Sequence, residues 1–112
     1  MKRNATKSWA DLTDAKQKEA ERAARVRQHE RTDLLGIAGC YTAREDRGDP
    51  AKVMAVAAPL LAWLDEAASD LDRSARMAAL REVKSGWDGR FQSVSASELV
   101  VRASVFYRFI AA

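Results

Sequence analysis

The chain has 112 residues, enough for one small hydrophobic core and too few for two. Apolar residues make up 47% and charged residues 31%, a balance that excludes wholesale disorder. There are 22 alanines but only five glycines and two prolines, which favours helix and excludes collagen-like and Gly/Ser-linker chains. The net charge of +3 is unevenly spread. Residues 1–32 carry nine Lys/Arg and five Asp/Glu (+4), and residues 33–112 carry ten and eleven (−1). A basic amino-terminal arm therefore precedes a nearly neutral body. The single cysteine, Cys40, excludes an internal disulfide and points to a reducing, cytoplasmic setting. The longest apolar run, Val53 to Leu64, covers 12 residues, short of a membrane span, and no secretory leader follows Lys2, Arg3 and Lys7.

Residues 1–8 lack an apolar pattern and read as a frayed basic terminus, with residues 9–112 as a single helical domain. Ser8 to Asp11 has capping-box spacing, with aspartate in place of glutamate. From Trp9 to about Arg31 the chain is rich in Ala, Glu, Lys, Arg and Gln, which predicts a long charged helix. Its apolar stripe is thin: Leu12, Ala15, Ala23 and Val26. So little buried area anchors residues 9–32 only lightly. The core bundle, 33–112, begins with Leu34, Ile37, Ala38 and Tyr41 on one helical face. Whether this is a continuation of the first helix or a new one from Thr32 stays open. Gly36 and Gly39 would admit a close helix neighbour.

Arg44 to Gly48 reads as a charged loop. Asp49-Pro50 then starts a helix, an N-cap followed by proline in the first turn. Val53, Val56, Leu60 and Leu64 form its stripe, and Met54, Leu61 and Trp63 widen it nearly all round, which predicts a central buried helix kinked by Pro59. Ser69 to Asp72 starts the next helix, with Leu71, Ala75, Ala79 and Val83 facing inward and Gly86 as the stop. Trp87 to Val94 is a loop. Ser95 and Glu98 make a capping box, Val94 and Leu99 a staple, and Leu99, Ala103, Phe106 and Ile110 repeat on the inner face beside Tyr107. The expected fold is all-α, a bundle of four to five helices with a long, charged amino-terminal helix.

Few residues here can do chemistry. His29 and Cys40 are eleven positions apart, roughly 16 Å along a straight helix, too far for a nucleophile–base pair. Cys40 reads as a small buried thiol. No His/Cys/carboxylate spacing suits a metal, and no cofactor is implied. Asp70 and Asp72 fit a helix start, where carboxylates offset the dipole, and Glu45, Asp46 and Asp49 lack calcium-loop alternation. A non-enzymatic protein is expected.

The surfaces say more. Lys18, Arg22, Arg25 and His29 recur at i, i+4, i+7 and i+11, with the acidic residues mostly elsewhere around the helix. Such a row can track a phosphate backbone without reading sequence. A solvated face laced with i,i+4 pairs would look similar. Arg73, Arg81 and Lys84 form a second row, followed by Trp87 and Arg90 in one loop, where Trp87 either stacks on a base or covers the core, while Trp9 and Trp63 are expected to pack. Leu12, Ala15, Ala23 and Val26 are the candidate protein interface, and Gly36, Gly39 and the aromatic run Phe106-Tyr107-x-Phe109 could add to it.

With these rows, Lys18/Arg22/Arg25 and Arg73/Arg81/Lys84, the chain resembles the helical small subunits of CRISPR effector complexes. The resemblance implies a bundle that lines a guide or target strand and contacts its backbone through arginines. The arginine-rich, lysine-poor style also resembles genes of GC-rich actinobacteria, their plasmids and phages. The expected function is a non-enzymatic subunit of a nucleoprotein assembly, with RNA or single-stranded DNA and other protein subunits as partners. The alternative is a phage- or plasmid-encoded adaptor or inhibitor working through protein contacts.

Overall fold

Three short polar side chains fix where helices begin in the body of the chain. Asp49 accepts a hydrogen bond from the Ala51 amide at 3.0 Å, Ser69 from Asp72 at 3.1 Å, and Ser95 from Glu98 at 3.1 Å. Each satisfies one of the amides that a first turn leaves without a partner. A computed structural model describes residues 9–112, apart from the side chain of Ala10. It contains four α-helices and no strand among the described residues: α1 (Trp9–Cys40), α2 (Pro50–Asp65), α3 (Asp70–Ser85) and α4 (Ala96–Ile110). A single 3-10 turn, Arg44–Asp46, lies in the loop after α1. Ser8 and the terminal stretch 1–8 lie outside the described residues.

The helix that starts at Trp9 does not stop near Arg31 but runs through Gly36 and Gly39 to Cys40. No helix-breaking proline interrupts it, and a lone glycine costs only about 1 kcal/mol inside a helix. The described residues up to Glu30 form one compact unit and Arg31–Ala112 another. In the first unit every described side chain from 11 to 29 is exposed. Trp9, expected to pack, is 82% exposed.

The second unit holds the core. Leu34, Ile37, Ala38 and Tyr41 are buried as their spacing predicts, together with Leu60, Leu64, Met77, Leu80, Leu99 and Ala103. α4 packs chiefly on α3 and then on α2. Tyr41 ties the unit together: its hydroxyl donates to the Val83 carbonyl at 2.9 Å, and its own carbonyl accepts from the Val94 amide at 3.1 Å. Thr42 closes α1 by donating to Ala38 O at 2.7 Å.

Four expectations need correction. α2 is not buried all round. Ala57, Leu60 and Leu64 are its buried residues, whereas Met54 and Leu61 are exposed beside the exposed alanines 55, 58 and 62. Only one side of α2 meets neighbours. Leu71 is 82% exposed, not inward. A row at i, i+4, i+8 and i+12 precesses by about 40° per step, so Leu71 and Val83 sit on different sides of α3. Met77 and Leu80, missed by that row, are buried. Phe106 and Ile110 are also surface residues, because the inner face of α4 is formed by Leu99 and Ala103 with Val100 and Tyr107 partly covered. Finally, Gly36 and Gly39 admit no helix. A side chain at either would meet Lys84 Nζ at 3.6 Å or Arg47 Nε at 3.8 Å, the tips of long side chains.

Candidate nucleic-acid interface

The α1 row and the α3 row fare differently once built. Lys18, Arg22, Arg25 and His29 are all exposed. Lys18 pairs with Asp14 at 3.3 Å, so Asp14 lies beside the row and not elsewhere around the helix. Such an exposed i,i+4 pair contributes only a few tenths of a kcal/mol and is easily exchanged for a phosphate. On α3, Arg73 donates to Asp65 at 2.7 Å and Arg81 pairs with Asp33 at 2.9 Å. These two guanidiniums staple neighbouring elements of the fold. Of that row Lys84 is exposed and lies over Gly36.

Trp87 covers the edge of the core. It is partly buried against the core cluster, its indole N–H donates to the Arg90 carbonyl, and its ring meets Phe91 at 5.4 Å between centroids. Asp88 accepts from the Arg90 amide at 3.1 Å, and Gly89 takes a φ of 89°, so this loop is a built turn. Phe91 carries two guanidiniums, Arg47 at 4.8 Å and Arg44 at 5.8 Å from the ring centroid. This cluster escaped sequence reading. Trp87 and Arg90 marked one loop, but the arginines come from the loop after α1.

The proposed protein-interface residues Leu12, Ala15, Ala23 and Val26 are exposed, Leu12 at 42% and Val26 at 54%. Phe109 is likewise exposed, with Val101 and Val105 on the same side of α4. Cys40 is buried and His29 is exposed, as befits a packed thiol and a surface imidazole. Among the described residues no group of three or more His, Cys, Asp or Glu side chains is placed to hold a metal ion. No described helix is long and apolar enough to cross a membrane.

A second polar cluster, also unseen in the sequence, joins α2, α3 and α4. Asp72 accepts from the Tyr107 hydroxyl and from the Ala68 amide at 2.9 Å. The Arg76 guanidinium lies 5.0 Å from the Trp63 ring centroid and 5.3 Å from that of Tyr107, and donates to the Trp63 carbonyl at 2.6 Å. Its Nε stands 3.5 Å from Asp72 Oδ2, at ion-pair distance. Trp63 and Tyr107 meet edge-on at 5.9 Å. Asp72 thus does more than offset a helix dipole: it ties α3 to α4 and to the loop before α3, and Arg76 beside it reaches α2. The hydrogen bond from Tyr107 holds the Asp72 carboxyl below its ordinary 3.8, and the same bond pushes the Tyr107 phenol above its ordinary 10.0. Burial pushes Tyr41 up as well.

A phenol raised in the fold supports stability fully below its free value of 10.0 and loses that support as pH rises through the folded value. Asp72, being lowered, supports the fold above 3.8 and lets go as pH falls below it. The melting temperature is therefore expected to fall steeply above about pH 10, together with the tyrosinate absorbance rise, and Tyr107→Phe is expected to shallow that fall. A melting temperature that stays flat while tyrosinate appears would refute these ties.

No family model matches the chain, and no curated protein or solved structure matches it either.

Proposed function

We propose that the chain is a non-enzymatic helical subunit of a cytoplasmic nucleoprotein assembly, one that holds a nucleic-acid backbone without reading its sequence. One observation carries this reading. Lys18, Arg22, Arg25 and His29 share one side of α1, in a stretch from 11 to 29 whose side chains are all exposed. The row spans roughly 16 Å, the rise of eleven helical residues. A strand laid along it brings successive phosphates within reach of these side chains. A helical stretch whose side chains are all exposed, as from 11 to 29, leaves its whole surface open to what it binds. The test is fluorescence anisotropy of labelled single-stranded RNA and DNA across salt, alone and with assembly partners. Binding that weakens linearly in log salt is expected, and no binding at low salt would overturn the reading.

A protein-only adaptor or inhibitor is the second reading, favoured by the exposed Trp9, Leu12 and Val26 on the same helix. It predicts that Leu12→Asp or Val26→Asp abolishes partner capture while charge reversal at Arg22 and Arg25 spares it. The backbone reading predicts the opposite pattern for oligonucleotide binding.

A further inference from the structure

We propose that Arg44, Arg47 and Phe91 form a stacking clamp for single-stranded nucleic acid, with an unpaired base against the outer side of the Arg47 guanidinium and its phosphate on Arg44. The inference rests on the backbone-binding reading and adds a second contact, one that tells single strand from duplex.

Several arginines of this body are tied up within the fold. Arg73, Arg81 and Arg102 are bound to carboxylates, at 2.7, 2.9 and 3.3 Å. Arg44 and Arg47 instead rest on the Phe91 ring, and among the described residues neither is in an ion pair. Two acidic residues of their own loop are engaged elsewhere, Asp46 with Lys52 at 3.6 Å and Asp49 with the first turn of α2, and exposed Glu45 is in no ion pair with either arginine. A guanidinium set over an aromatic ring and in no ion pair keeps N–H edges for an acceptor such as phosphate. Both arginines are exposed, so those edges and the outer side of Arg47 are accessible to a ligand.

The platform is also fixed before anything binds. Phe91 is backed by Trp87, which is packed on the core and anchored to Arg90 O. Val94 N–H bonds Tyr41 O at 3.1 Å and so ties the two loops together. Arg47 Nε lies within 3.8 Å of where a Gly39 side chain would begin, so the small residue gives this arm its seat. Preorganisation of this kind lowers the cost of ordering on binding. Unpaired bases stack on aromatic rings and on guanidinium planes, whereas paired bases are already stacked on one another. The clamp therefore suits a single strand.

The test compares a labelled single-stranded oligonucleotide of about 16 nucleotides with a duplex of the same length. Arg44→Ala/Arg47→Ala is expected to weaken single-strand binding at least tenfold and to reduce the salt slope by about 0.7, the worth of the one phosphate on Arg44. Arg47→Lys keeps the charge and is expected to keep the slope while weakening single-strand binding several-fold and leaving duplex binding unchanged. Phe91→Leu should behave likewise, with circular dichroism confirming that each variant is helical. If the alanine pair and Arg47→Lys bind as wild type while Arg22→Glu/Arg25→Glu loses binding, the clamp falls and the backbone reading stands. An equal loss for duplex and single strand in Arg47→Lys also overturns the clamp. If wild type binds no oligonucleotide, both fall.

Discussion

Leu80→Ala is expected to destabilise the fold by about 3 kcal/mol, within the usual range for emptying a filled leucine site. Leu80 has no exposed surface and sits among Ile37, Leu60, Leu64, Met77 and Leu99 in a core supplied by residues 31–112 alone. Small domains are stable by only 5–15 kcal/mol or so, so one such vacancy removes a large share. For a unit of this size the melting temperature should drop by roughly 10 °C or more. Leu71→Ala is the matched control on the same helix. Leu71 is 82% exposed, and its truncation is expected to change stability by less than about 0.5 kcal/mol. Thermal melts by circular dichroism decide the matter, and equal losses for the two variants would contradict this packing.

Arg22→Glu/Arg25→Glu carries the largest expected effect on binding. It removes two cations from the centre of the α1 row and puts two anions in their place, while touching no buried side chain. Single-strand affinity should fall by two orders of magnitude or so at low salt, because two favourable phosphate contacts become repulsive. Stability should hardly move, since surface substitutions away from packed features stay within about 0.5 kcal/mol. Arg73→Glu/Arg81→Glu offers the contrast. Those guanidiniums hold Asp65 and Asp33, so their reversal should show mainly as lost stability.

What the sequence made legible follows from how far apart the interacting residues lie. Leu34, Ile37, Ala38 and Tyr41 are neighbours on one face of one helix, and periodicity alone finds them. Asp49, Ser69 and Ser95 bond amides two or three residues ahead, so their capping role is written locally. The long, weakly anchored first helix was likewise legible, because it lacks large apolar side chains at helical spacing. Its true end was not, since the same helix formers continue through Gly36 and Gly39.

Contacts between distant segments left no local trace. Tyr107 reaches Asp72 across 35 positions, and Arg81 reaches Asp33 across 48. Only folding reveals that Arg73 and Arg81 of the second basic row are in ion pairs while Arg44 and Arg47 lie over an aromatic ring. Leu71 misled for a different reason. A strict four-residue repeat drifts around the helix, so its first and last members need not share a face. The exposed apolar residues Trp9, Leu71 and Phe109 belong to the same lesson: hydrophobic residues are not confined to interiors, and composition does not say which are covered.

The charge read as a total of +3 says little about partners, whereas its arrangement on α1 makes a quantitative claim. That claim is tested most directly by the salt dependence of single-strand affinity for wild type and Arg22→Glu/Arg25→Glu, measured side by side. A wild-type slope of log affinity against log salt of about −2 or steeper is expected, and a slope shallower by about 1.4 in the variant. Identical slopes and affinities for the two proteins would contradict the claim.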